Sequence, residues 1–116
     1  MPRVLNQTKG TVVAEEVEIA RSFWSRFKGL MLRASLPPGR GLLIDPSSSI
    51  HTAFMRFPID VLFIDKQNRV VKVVAEIKPY RLAFGSGHAV LELGAGTAAG
   101  ARVEAGDQLV LDDGDR

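Results

Sequence analysis

The stretch Ile50-His51-Thr52-Ala53-Phe54-Met55-Arg56-Phe57-Pro58-Ile59-Asp60 gathers an imidazole, a hydroxyl, a guanidinium and a carboxylate into eleven residues. An imidazole changes charge near neutral pH; beside a carboxylate it can act as a general base or give two ligands to a metal. In an extended run over 50 to 55, His51, Ala53 and Met55 share one face and Ile50, Thr52 and Phe54 the other. Asp60 lies beyond the bend at Pro58, so a fold-back would bring its carboxylate to His51. The alternative is structural: Asp60 caps the turn after Pro58, and His51 bonds a backbone carbonyl. No third ligand stands at a fixed spacing, so the sequence assigns no metal and no cofactor.

Other polar residues are weaker signals. Glu92 interrupts the apolar run Ala89-Val90-Leu91-Glu92-Leu93, and a carboxylate in a buried strand needs a partner, for which Arg33, Arg56 and Arg81 are candidates. His88 follows Gly85-Ser86-Gly87, whose glycines suggest a mobile, exposed surface histidine. Ser47, Ser48 and Ser49 stand beside His51 but read as a Ser-rich turn rather than as a nucleophile. No glycine cluster fits a phosphate-binding loop and no GxSxG elbow occurs. Arg21, Arg26, Lys28, Arg33 and Arg40 read as the solvated side of a helix.

The elements that must hold these groups are mostly strands. Residues 11 to 20 are rich in β-branched types, with Val17 and Ile19 alternating against Glu16 and Glu18. The period then changes: Ala20, Phe23, Trp24, Phe27 and Met31 predict an amphipathic helix over 20 to 31, its aromatic stripe packed on a sheet. Gly41 to Asp45 and Ile50 to Phe54 read as short strands around a Pro-Ser turn. Val61-Leu62-Phe63-Ile64 is apolar on both faces and predicts a central strand covered on both sides. A hairpin through Lys66-Gln67-Asn68-Arg69 leads to a strand from Val70 to Glu76. Further strands are expected at 89–93 and 108–111, with a loop and one helical turn over 94–100. The expected fold is mainly β: a single domain over 1–116, built as a β-sandwich or barrel-like sheet with the 20–31 helix as its cover and 112–116 as an acidic tail.

Composition narrows the function classes. A chain of 116 residues, 46% of them apolar, supports one core. Fifteen Lys and Arg against thirteen Asp and Glu leave a net charge of +2, a weak hold on a long polyanion, so nucleic acid is not the expected partner. With no cysteine, disulfides, thiolate metal sites and cysteine nucleophiles are excluded. The apolar runs fall far short of the roughly 18 residues of a membrane span. The first residues offer no apolar h-region, so a cytoplasmic protein is expected, or an exported one if a signal segment has been removed.

Several runs together resemble a known family. Gly29-Leu30-Met31-Leu32-Arg33, the long run from Ile50 to Asp65, Lys78-Pro79-Tyr80-Arg81, Val90-Leu91-Glu92-Leu93 and Gly106-Asp107 look like the signature of domain of unknown function 192. The likeness covers about 12–111. This chain carries Ala53 and Tyr80 where members commonly carry an aromatic and a Trp. The resemblance implies a compact β-sandwich-like domain with no established activity, substrate or ligand; some members are exported or lipid-anchored. It directs attention to motif residues that packing explains poorly: His51, Thr52, Arg56, Asp60, Arg81, Glu92 and Asp107. Gly106 and Asp107 fit a turn, with Asp107 bonding an amide of its own loop. These groups sit at strand ends and complete no catalytic constellation, so the expectation is a non-catalytic or accessory module. It would bind a small polar ligand or a protein through His51, Thr52, Arg56, Asp60, Arg81 and Glu92. The rival readings are a metal-assisted or acid–base hydrolase using His51 and Asp60, and a purely structural module. The oligomeric state is open.

Overall fold

The computed structural model describes residues 1–22, 26, 35–52 and 55–113, with His51 as backbone only. Ten strands and one short helix lie among them: β1 (Arg3–Asn6), β2 (Thr11–Ala14), β3 (Glu16–Ala20), β4 (Arg40–Ile44), β5 (Ser49–His51), β6 (Ile59–Ile64), β7 (Val70–Ile77), β8 (Leu82–Phe84), β9 (Ala89–Gly94), α1 (Thr97–Gly100) and β10 (Leu109–Asp112). The fold is mainly β and sandwich-like. A five-stranded sheet in the order β3-β4-β9-β6-β7 forms the middle layer; β10-β1-β2 and β5-β8 form two smaller sheets.

The apolar run predicted as a central strand explains the layering. Every residue of β6 is buried, because Leu62 and Ile64 enter one core while Val61 and Phe63 enter the other. Strand side chains alternate, so an all-apolar strand must be covered on both faces. The first core joins Leu43, Leu91 and Leu93 of the middle sheet to Val4, Val13 and Leu109 of the three-stranded sheet and to Ala98 of α1. The second joins Leu42, Ile44 and Val90 to Ile50 of β5, Ala83 of β8 and Met55. A ribbon of two three-residue strands thus covers one face, and three longer strands with a helix cover the other.

The β6–β7 hairpin is present, antiparallel as expected. The single 11–20 strand divides at Glu15, whose amide bonds Gly39 carbonyl, and β3 then pairs in parallel with β4. Ala20, expected to open the helix, ends β3. The Ser22 carbonyl accepts the Arg26 amide at 3.0 Å; the aromatic stripe of the predicted helix, Phe23, Trp24 and Phe27, lies outside the described residues. Arg21 follows β3 and Arg40 begins β4, where it pairs with Glu16, so neither belongs to a helix face. The turn expected over 94–100 is α1. No helix among the described residues is long and apolar enough to cross a membrane.

Candidate functional site

The segment 51–56 and the loop 78–82 meet through Thr52. Its amide donates to the Arg81 carbonyl and its carbonyl accepts the Tyr80 amide. Its hydroxyl, fully buried, donates to the Lys78 carbonyl at 2.7 Å and accepts the Arg81 amide at 2.7 Å. Four bonds from one residue hold Tyr80 at φ +63°, a left-handed conformation that a bulky side chain rarely adopts. The ribbon continues from this clamp: Ile50 pairs with Ala83 and both are buried, while His51 pairs with Leu82 and Ser49 with Phe84. Leu82 and Phe84 therefore face outward by alternation, and they are 69% and 62% exposed, with Tyr80 at 67%. Arg56 and Arg81 are exposed and make no ion pair among the described residues. The structure thus brings the main chains of His51, Thr52 and Arg81 together, and the exposed Arg56 follows Met55, whose amide bonds the Thr52 carbonyl.

Asp60 and Glu92 are elsewhere. Asp60 is opposite Leu93, on the side of the first core, whereas Glu92 is opposite Val61 and Leu42, on the side of the second. β5 packs on that second side, so Asp60 does not fold back onto the ribbon. Its carboxylate is fully buried, with both oxygens in use: Oδ1 accepts the Glu76 amide and Oδ2 the Ala98 amide, each at 2.8 Å. The Glu76 amide is presented by a bulge in which Ala75 and Glu76 together oppose Asp60, with Glu76 at φ +53°. Asp60 does not cap the turn after Pro58, as the structural alternative had it: its carboxylate accepts amides 16 and 38 residues away. Glu92 is 2% exposed. Of its expected partners, Arg56 and Arg81 are exposed and make no ion pair among the described residues, and Arg33 is outside them.

Asp107 is a second saturated carboxylate. Oδ2 accepts from Asn6 Nδ2 at 2.9 Å, Lys9 Nζ at 2.9 Å and the Glu104 amide at 3.0 Å. The last of these is the turn bond expected of it. Burial alone would raise the Asp107 carboxyl, but the hydrogen bonds from Asn6, Lys9 and Glu104 and the Lys9 charge outweigh it and hold the group below its ordinary value.

Sequence reasoning missed one constellation. His88 Nε2 lies 3.1 Å from Asp45 Oδ1, and Arg21 Nε is 3.7 Å from Asp45 Oδ2. The glycines before His88 do not loosen it. A Cβ on Gly85 would stand 2.7 Å from the Phe63 ring, and one on Gly87 2.8 Å from the Ile64 carbonyl. Both glycines permit close approach to β6, and the His88 amide then bonds Ile64. The missed signal was the end of the β4 pattern at Asp45, one step past the antiparallel partner of β9. At the other end of the sheet, Phe57 and Pro58 wall a groove of about 400 Å³ with Leu36, Pro37, Pro38 and Thr97. No cluster of three metal-ligating side chains occurs among the described residues.

Comparison with known proteins agrees with these motifs. Residues 4–111 match the profile of domain of unknown function 192, described as an uncharacterized ACR. A protein of Thermococcus sibiricus named as a UPF0127 protein is 32% identical over 112 residues, covering 91% of this chain and 72% of that one. Among solved structures, a protein of unknown function from Novosphingobium aromaticivorans superposes with a TM-score of 0.81 at 28% identity, over 95% of this chain and 84% of the other. A protein from Sinorhizobium meliloti described as a candidate transcription regulator gives 0.80 at 26% identity, over 95% and 91%. The chain belongs to the domain of unknown function 192 family.

Proposed function

We propose that this member of the domain of unknown function 192 family is a non-catalytic binding module that holds a protein partner where the 51–56 segment meets residues 78–84. The observation that carries this reading is the outward group Tyr80, Leu82 and Phe84, each more than 60% exposed, with the exposed Arg81 between the first two. Scattered surface apolar residues need no explanation, but three in a row on one short strand and its loop do. His51, Arg56 and Arg81 would meet the partner. Thr52 positions the loop, and Asp60 and Glu92 support the sheet beneath. A hydrolase using His51 and Asp60 is disfavoured, since both Asp60 oxygens already accept main-chain amides.

The second reading, a small polar ligand, draws on the groove beside Phe57 and Pro58, whose size falls in the range of small-molecule sites. The description of the S. meliloti relative suggests a nucleic-acid role, against which stands the net charge of +2.

Selection of a random peptide library displayed on phage against the folded chain tests the leading reading. Binders are expected to lose at least about tenfold in affinity on the triple variant Tyr80→Ser, Leu82→Ser, Phe84→Ser, whose melting temperature should match the parent. Failure to select binders, or binders indifferent to the three substitutions, would overturn it.

A further inference from the structure

The partner reading gains chemical content from where the charge lies. Residues 49–60 and 70–84 hold four cations, Arg56, Lys72, Lys78 and Arg81, against two carboxylates, Asp60 and Glu76, which accounts for the whole formal net charge of +2. The remaining residues carry acids and bases in equal number. Of the two carboxylates, Asp60 is buried and turned to the opposite core. The surface therefore presents four cations and the single exposed carboxylate of Glu76.

These cations flank the apolar row. Lys72 Nζ donates to the Phe84 carbonyl at 2.8 Å and lies 5.8 Å above the Phe63 ring, at one end of it. Arg81 stands between Tyr80 and Leu82, its main chain fixed by Thr52. Lys78, whose carbonyl accepts the Thr52 hydroxyl, stands at the other end, and the exposed Arg56 follows Met55, whose amide bonds the Thr52 carbonyl. None of the four makes an ion pair among the described residues.

Resting on the reading above, we propose that the occupant is a short extended acidic peptide segment of a partner protein, its apolar side chains laid on Tyr80, Leu82 and Phe84 and its carboxylates facing Arg56, Lys72, Lys78 and Arg81. Leu82 and Phe84 lie on a strand, with Tyr80 in the loop before it, and an exposed strand side suits a peptide of extended conformation. A second copy of the chain fits poorly, because a two-fold contact would bring this cationic surface against itself.

The test measures fluorescence anisotropy of the full chain with a labelled peptide that alternates glutamate with leucine and phenylalanine, and with its twin carrying lysine at each glutamate. The glutamate peptide is expected to bind at least about tenfold more tightly, to weaken as salt rises, and to lose about tenfold on the double variant Arg56→Glu, Arg81→Glu at unchanged melting temperature. Equal binding of the lysine twin, or indifference of the double variant, overturns the acidic partner. So does co-sedimentation with phosphatidylserine vesicles where the glutamate peptide does not bind, or a dimer in light scattering that Leu82→Ser dissociates. If the glutamate peptide fails while phage-selected binders still depend on Tyr80, Leu82 and Phe84, the acidic partner falls and the binding module stands. If those selections fail as well, both fall.

Discussion

The two faces of the middle sheet are covered in different ways. On one, the three-stranded sheet and α1 seal a core, and the polar groups buried there are saturated: Asp60 by two amides, Asp107 by Asn6, Lys9 and Glu104. On the other, the β5–β8 ribbon buries Ile50 and Ala83 beneath it and turns Leu82 and Phe84 to solvent. The first arrangement spends its hydrogen bonds on holding the chain together. The second leaves cations outside any ion pair among the described residues and apolar side chains exposed, which is what recognition requires. Substitutions on the sealed face should therefore act on stability and those on the outer ribbon on binding.

Asp60→Asn should have the largest effect among the polar substitutions. The amide group has the size of the carboxylate but only one acceptor oxygen, so its NH2 would confront the Glu76 or Ala98 amide, donor against donor. Loss of one charge-assisted bond with a buried N–H left over costs about 3 kcal/mol. A fall in melting temperature of about 10 °C is expected by calorimetry. An unchanged melt would mean that the two amides find other acceptors and that the sealed face is less committed than the distances imply.

Thr52→Val comes next, since Thr52 belongs to the boundary between the two regimes. The shape is kept, but the hydroxyl that bridges the Lys78 carbonyl and the Arg81 amide is lost. A cost of about 2 kcal/mol is expected from the two groups left without a partner. Because Tyr80 at φ +63° depends on this clamp, hydrogen exchange should rise at residues 78–82 before it rises in β6. A uniform rise over the whole chain would contradict the local role of Thr52.

What the sequence disclosed follows the same division. β6 was legible because a strand apolar on both sides admits one placement, between two cores. β8 was not, because its pattern is inverted: the small Ala83 is buried and the larger Leu82 and Phe84 are outside. β1 was missed since its partner β10 lies at the far end of the chain, and Arg3 to Asn6 carries no strand period of its own. The polar residues of the 51–60 segment were visible by type, but their roles were not. Asp60 finds its donors at a bulge and at a helix start that no local spacing announces. For His88, adjacent glycines have two physical uses, freedom and close approach, and the close contacts at Gly85 and Gly87 identify the second.

A smaller effect on the sealed side is expected from pH. The Asp107 carboxyl is held below its unfolded value, so its contribution is fully present above the unfolded value and is lost as pH falls through the folded one. The stability difference between the parent and Asp107→Asn, about 1 kcal/mol near neutrality, should hold constant down to about pH 4 and shrink below it in urea titrations. A difference that grows toward acid would reverse the sign and remove the carboxylate from the network that ties β1 to the 104–107 turn.

Leu82→Ser should be the quietest substitution in the melt and the most informative about the contrast. Leu82 and Leu62 are the same residue type on neighbouring layers, 69% and 0% exposed. Leu62→Ser would leave a cavity and a buried hydroxyl in the first core, a loss of several kcal/mol of the kind large-to-small core changes show. Leu82→Ser removes little buried area, so its effect on stability is expected within about 0.5 kcal/mol. If an outer apolar residue were held there for packing, the melt would report it. If the ribbon's outer side is a recognition surface, the melt stays flat while affinity for the glutamate peptide falls several-fold. A measured destabilisation above about 1 kcal/mol, well outside the range for surface positions, would place Leu82 in the fold's own interior account and erase the distinction between the two faces.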